Sequence, residues 1–151
     1  MNNKSKSMYD DFEKVKANHV PLSPLSFLPR AANLYPHKDA VVYGKRKYTW
    51  KQCYERCKRL ASSIIKLGIT KGDTVSVIAT NTPEMVEAHY GIAMAGAVLN
   101  SINVRLDPDT IAYILDHSEA KVLISDTGFS SSVSEAIKKI QNKNLIIIDI
   151  E

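Results

Sequence analysis

The sequence predicts an α/β layered domain: a mostly parallel sheet flanked by helices and preceded by a small β-hairpin. Two observations carry this. Runs such as TVSVIA (74–79), KVLIS (121–125) and LIIIDI (145–150) are almost continuously apolar, as strands buried on both faces read. Segments of helical spacing, with residues suited to capping at their starts, separate these runs, the alternation that builds parallel sheets covered by helices.

Each element has a local cause. Residues 1–20 are polar and aperiodic and read as a loose arm. In PLSPLSFLPR (21–30) two prolines mark turns into a short helix, with Ser26 as N-cap, Pro29 in the first turn and an end before Pro36. Ala40–Tyr43 and Lys47–Thr49 flank Gly44-Lys45-Arg46 and predict the hairpin. Thr49 caps a helix from Trp50 to Leu67, whose apolar positions 50, 53, 54, 57, 60, 61, 64 and 65 form one stripe. Gly68 follows where a left-handed residue ends a helix. After the turn Thr70-Lys71-Gly72-Asp73 and the strand 74–79, Asn81 caps a helix from Pro83 to Gly96, with Glu84 in its first turn. That helix is apolar nearly all round and is expected to be deeply buried. Val98–Ile102 is a strand, and Asp107 and Pro108 open a helix to His117. The strand Lys121–Ser125, the helix Ser131–Ile140 and the strand Leu145–Ile150 complete the series.

The 151 residues are 44% hydrophobic and 24% charged, which excludes a disordered, collagen-like or disulfide-dense chain. The longest apolar run, Gly91–Leu99, falls far short of the roughly 20 residues a membrane span needs. The first residues hold no apolar core of a secretory signal, and Asp10, Asp11 and Glu13 argue against a transit peptide. The expected compartment is the cytoplasm, where Cys53 and Cys57 stay reduced. Net charge is +4, but residues 1–60 hold 13 Lys/Arg against 5 Asp/Glu. Lys51, Arg56, Lys58 and Arg59 lie off the apolar stripe of their helix, and Lys45-Arg46-Lys47 form the hairpin tip. The basic cluster therefore reads as a solvated helix face plus a turn, without the interleaved aromatics of a nucleic-acid footprint.

The residues themselves show no active site. Cys53 and Cys57 stand i, i+4 on the apolar stripe and read as core cysteines rather than metal ligands. His19, His37, His89 and His117 are scattered, and His89, among apolar neighbours, reads as a core histidine. GxGxxG, GxxxxGK[ST] and GxSxG are all absent. Gly91 and Gly96 read as places where a helix and a strand approach closely. Thr80-Asn81-Thr82 lies just past a strand's carboxyl end, where open parallel sheets bind ligands, although helix capping also accounts for it.

Read as text, PLSPLSFLPRAANLYPHKDAVVYGKRKYTWKQCYERCKRLASSI (21–64) and LGITKGDTVSVIATNTPEMVEAHYGIAMAGAVLNSINVRLDPDTIAYILDHSEAKVLISD (67–126) resemble the N-terminal part of adenylate-forming acyl-CoA synthetases. Tyr48-Thr49-Trp50-Lys51-Gln52-Cys53-Tyr54 is similar to the first core motif of that family. Met94-Ala95-Gly96-Ala97-Val98-Leu99-Asn100, continued by Asn103-Val104-Arg105-Leu106-Asp107, is similar to the second. Both are structural in the family. The wording is most similar to the short- and medium-chain branch, which includes plant acyl-activating enzymes and bacterial methylmercaptopropionate ligases.

The resemblance implies a two-step reaction: a carboxylic acid and ATP give an acyl-adenylate, and coenzyme A then displaces AMP, with Mg²⁺ neutralising the triphosphate. The phosphate loop, the adenine motif, the ribose-binding aspartate and the catalytic lysine of the family have no counterpart in residues 1–151. The expectation is therefore a truncated N-terminal fragment, with an arm over 1–20 and part of the first subdomain over 21–151. It is expected to be inactive alone, with no catalytic, cofactor-binding or metal residue assigned in it. Two alternatives stand: another acid-activating enzyme (aryl-acid ligase or carrier-protein loading domain), or a freestanding α/β interaction module. The expected partners are the acid, ATP and coenzyme A, without nucleic acid; a homo-oligomer is left open.

Overall fold

A computed structural model describes residues 23–150, so the arm expected over 1–20 lies outside the described residues. A 3₁₀ turn, Pro24–Ser26, leads into α1 (Phe27–Leu34). Ser26 is the N-cap, but the side-chain cap bond is made one turn earlier, where Ser23 Oγ accepts from Leu25 N–H. β1 (Asp39–Tyr43) and β2 (Arg46–Thr49) pair antiparallel through Val42↔Lys47 and Tyr43↔Arg46. α2 (Trp50–Lys66) begins in a full capping box: Thr49 Oγ1 accepts from Gln52 N–H, and Gln52 Oε1 accepts from Thr49 N–H. Gly68, at φ +85°, turns the chain out of this helix.

Four strands form one parallel sheet in the order β4-β3-β5-β6. They are β3 (Thr74–Ile78), β4 (Val98–Ser101), β5 (Val122–Asp126) and β6 (Ile146–Ile150). The connecting helices are α3 (Pro83–Met94), α4 (Pro108–His117) and α5 (Ser130–Lys139). The core divides by side-chain parity along β3 and β5. Val75, Val77, Val122 and Ile124 pack with Ile64 of α2 and with Met85, Ala88 and Ile92 of α3. Ile78 and Leu123 pack on the opposite face with Ile111 and Leu115 of α4 and Val133 and Ala136 of α5. The result is three layers, with the two central strands covered on both faces.

Several expectations change. Thr82, not Asn81, is the N-cap of α3, and it makes no side-chain cap bond. α3 is buried on one side only: Met85, Glu87, Ala88, Gly91 and Ile92 face inward, whereas Val86 and His89 are exposed. Its high apolar content reflects two neighbouring layers, α2 and the sheet, rather than burial all round. Ile65, placed on the α2 stripe by periodicity, lies at its solvent edge. Gly91 serves helix–helix contact, because the nearest atoms to a side chain there belong to Leu60 and Cys57 of α2. Gly96, at φ +79°, instead supplies the left-handed turn between α3 and β4.

Among the described residues, buried polar side-chain atoms are paired apart from Thr82 Oγ1. Asn100 on β4 donates from Nδ2 to Ser76 Oγ of β3 (3.0 Å) and to Ser118 Oγ after α4 (3.1 Å). Ser76 is fully buried, so this bridge satisfies a hydroxyl that would otherwise be stranded.

Asp73, which opens β3, is held by Lys121 Nζ (2.7 Å) and by the N–H and hydroxyl of Thr70. The lysine first, then the threonine bonds, lower its pKa from 3.8 to about 2. A depressed carboxyl stabilises the fold above its ordinary pKa, and that contribution is lost as the pH falls from 3.8 toward about 2. Asp73→Asn should therefore flatten the acid limb of thermal stability over that window. Melting curves recorded across it check this; an unchanged acid limb contradicts it.

Candidate functional site

The topology marks one end of the sheet. β3 is followed by α3 on one face, whereas its neighbour β4 is followed by α4 on the other. The chain therefore parts at the carboxyl ends of β3 and β4, the position at which open α/β sheets form ligand crevices. A cleft of about 460 Å³ opens there, its polar rim made by Thr80, Asn81, His89, Ser101 and Asn103. Thr80 and Asn81 stand on this cleft as their position past the strand predicts. His89 and Asn103 join them only through packing of the second strand and helix.

The chemistry available in the cleft is hydrogen bonding by neutral groups. Asn103 is partly committed, since its Oδ1 accepts from Arg105 N–H (3.0 Å). His89 lies 2.8 Å from the Met85 carbonyl through Nδ1. A carbonyl can only accept, so Nδ1 carries the hydrogen in this contact and Nε2 is the ring nitrogen left free of it. His89 is thus not the core histidine its sequence context predicts: it is exposed and tethered to its own helix. No carboxylate accompanies it among the residues lining the cleft, so no histidine–carboxylate pair is formed there. A larger cleft of about 520 Å³ lies at the amino end of the sheet, beside Gly68, Asp116, Lys121 and Asn142. There Asp116 accepts from the N–H groups of Gln141 and Asn142, and Lys121 is paired with Asp73, so these charges are already used in holding loops.

The strongest electrostatic feature was assigned by sequence reasoning to a solvated face. Arg46 at the hairpin tip grips Glu84 of α3 with both terminal nitrogens (2.9 and 3.3 Å). Arg56 of α2 hydrogen-bonds Glu87 of α3 through Nε and stacks over the Tyr48 ring at 4.6 Å. Glu87 is only 8% exposed, and 30% of the Arg56 side chain remains accessible. Burial pushes the Glu84 carboxyl up, but Arg46 and the local hydrogen bonds outweigh it and hold the group below its usual range. Glu87 raises the Arg56 guanidinium above its own usual value. Glu84 and Glu87, i and i+3 on an otherwise apolar helix, were the available sequence signal.

The motif residues hold the framework together. Thr49 caps α2, Trp50, Cys53 and Tyr54 pack with Leu28 of α1 and Met94 of α3, and Asp107 caps α4 by accepting from Thr110 N–H. Cys53 and Cys57 are buried and free, as core cysteines are. Hydrogen bonding between them together with burial drives the Cys57 thiol far above its ordinary range, which keeps it protonated. His37 and His117 lie outside the cleft, while His19 falls outside the described residues. Among the described residues no group of three His, Cys, Asp or Glu side chains is placed to hold a metal.

The family described as AMP-binding enzyme matches residues 28–151. The chain is 47% identical over 145 residues to a peroxisomal benzoate–CoA ligase of Arabidopsis thaliana, covering 93% of this chain and 25% of that protein. It is also 47% identical over 137 residues to a peroxisomal trans-cinnamate:CoA ligase of Petunia hybrida, covering 91% and 24%. Among solved structures it is similar to a Mycobacterium tuberculosis fatty acyl CoA synthetase (TM-score 0.77, 28% identity, 83% of this chain and 26% of that one). A benzoate CoA ligase from Burkholderia xenovorans LB400 shares the fold at TM-score 0.78 and 24% identity, over 84% and 25%. The chain thus spans about a quarter of the length of the relatives it matches. A capped-helix framework around a parallel sheet, matched over residues 28–151, makes this chain a member of the AMP-binding enzyme family.

Proposed function

We propose that this chain forms the opening layers of an ATP-dependent acid–CoA ligase. In that reaction a carboxylate oxygen bonds to the α-phosphorus of ATP and pyrophosphate leaves. The thiol sulfur of coenzyme A then attacks the acyl carbon, its proton is lost, and AMP departs. The observation that carries this reading is 47% identity over 145 residues to a benzoate–CoA ligase, joined by a butyrate–CoA ligase at the same identity over 131.

The described residues supply scaffold rather than chemistry. Thr80, Asn81 and Asn103 offer neutral hydrogen-bonding groups at the carboxyl end of the sheet. Mg²⁺ would arrive with ATP, but the described residues offer it no ligand cluster, and no step is derived through it. The reading places the catalytic groups and most of the acid pocket outside residues 1–151. It also places the protein in the cytoplasm, a reducing compartment that two free buried cysteines fit. An aryl-acid preference is the second reading. Benzoate, cinnamate and butyrate relatives share the same 47% identity with this segment, which supports neither acid class over the other.

Pyrophosphate–ATP exchange driven by added acid tests the proposal. The 151-residue polypeptide alone is expected to show none. A chimera in which residues 28–150 replace the matching segment of the benzoate–CoA ligase is expected to exchange within about tenfold of its parent, a barrier change under about 1.4 kcal/mol. A folded chimera without exchange contradicts the reading, as does exchange by the isolated polypeptide.

A further inference from the structure

The helices of this fold do not all begin in the same way. α2 starts in the Thr49–Gln52 capping box, and α4 starts on Asp107, which accepts from Thr110 N–H. α3 has no such local bond: Thr82 makes no side-chain cap, and its buried Oγ1 finds no partner. α3 and α4 both carry proline at the first position, so the difference between them lies in the cap. Their first i→i−4 backbone bonds differ accordingly. Val86 N–H reaches Thr82 O at 3.4 Å, whereas Ile111 N–H reaches Asp107 O at 3.0 Å. The weakly held start of α3 follows directly on Thr80 and Asn81, the rim of the cleft at the carboxyl end of the sheet. Thr82 N–H donates to Thr80 O (2.7 Å), which ties that rim to the helix.

The hold that α3 lacks locally comes from the hairpin, 38 residues upstream. Arg46 bonds both carboxylate oxygens of Glu84, in the first turn of α3, and its guanidinium lies 5.2 Å from the Tyr43 ring centroid. Arg56 repeats the arrangement: it stacks on Tyr48, bonds Glu87 and comes within 3.9 Å of Glu84. Each arginine is thus set between a hairpin tyrosine and a glutamate of α3, which orients its planar fork before it pairs. An exposed ion pair contributes little unless its geometry is fixed. A two-nitrogen grip on a carboxylate whose side chain is 18% exposed meets that condition.

We infer that Arg46 is a positioning residue: the hairpin clasps the first turn of α3 in place of a local cap, and so holds Thr80 and Asn81 at the cleft. The inference is independent of the ligase reading. Amide hydrogen exchange of the 151-residue chain, read residue by residue, tests it. Arg46→Ala should speed exchange at Val86 by about fivefold, the size of a lost cap. Ile111, the matching position of α4, should be unchanged, and exchange at Thr82 should rise with that at Val86. Lys45→Ala, at the same exposed hairpin tip, should exchange as the parent does. Arg46→Lys keeps the charge but loses the two-nitrogen grip, so it should restore part of the protection. Circular dichroism confirms that the variants are folded. An unchanged Val86, an equal rise at Ile111, an equal effect of Lys45→Ala, or no recovery with lysine overturns the proposal.

Discussion

Replacing Gly91 by valine should destabilise the fold by about 1–3 kcal/mol, read as a lower urea midpoint. A Cβ at this position would lie 2.8 Å from Leu60 Cδ2 and 3.0 Å from the Cys57 carbonyl oxygen. The leucine tip can rotate away, but the carbonyl belongs to the backbone of α2 and cannot. α2 and α3 would have to separate, which loosens the packing of Ile64 against Ile92 in the same core. Gly91→Ala sharpens the test. At an exposed mid-helix site this change stabilises by about 1 kcal/mol through helix propensity. Here the overlap with Cys57 O should cancel that gain. A full propensity gain in the alanine variant contradicts the close helix contact.

Arg56→Ala should cost about 1–3 kcal/mol, because it strands the carboxylate of Glu87 in a nearly buried position. The guanidinium also covers the Tyr48 ring, so its loss opens the seam between the hairpin and α2. Solvent reaches 30% of the Arg56 side chain, which keeps the expected cost below that of a fully buried pair. A double-mutant cycle with Glu87→Ala should return a coupling energy of about 0.5–3 kcal/mol. Replacing both residues by apolar ones of similar size should recover much of the loss, since it removes the stranded charge. Strict additivity of the two alanine substitutions would contradict the pairing.

What could be read in advance follows the range of each interaction. Thr49 with Gln52, and Asp107 with Thr110, are bonds within one turn, so helix starts are local properties of the chain. The parallel sheet was legible because strands buried on both faces carry no alternation. The Arg56–Glu87 pair spans 31 residues and became visible only once α2 lay against α3. Gly91 was recognised as a place of close approach, but a glycine does not name the neighbour it admits. His89 was misplaced for a related reason: apolar neighbours in sequence surround it along the helix, while the helix itself presents it to solvent. For the candidate site, Thr80 and Asn81 follow from a topological rule applied to one strand. Asn103 and His89 required the second strand and helix to be in place.

The central claim is that this segment is a scaffold shared by acid–CoA ligases, with the choice of acid made by other residues. Acyl-CoA formation by the benzoate–CoA ligase chimera, measured over benzoate, cinnamate, butyrate and acetate, tests it most directly. The account predicts a folded chimera that makes CoA thioesters with its parent's order of acid preference. A chimera that folds but forms no thioester, or one whose preference moves to a different acid, would contradict it.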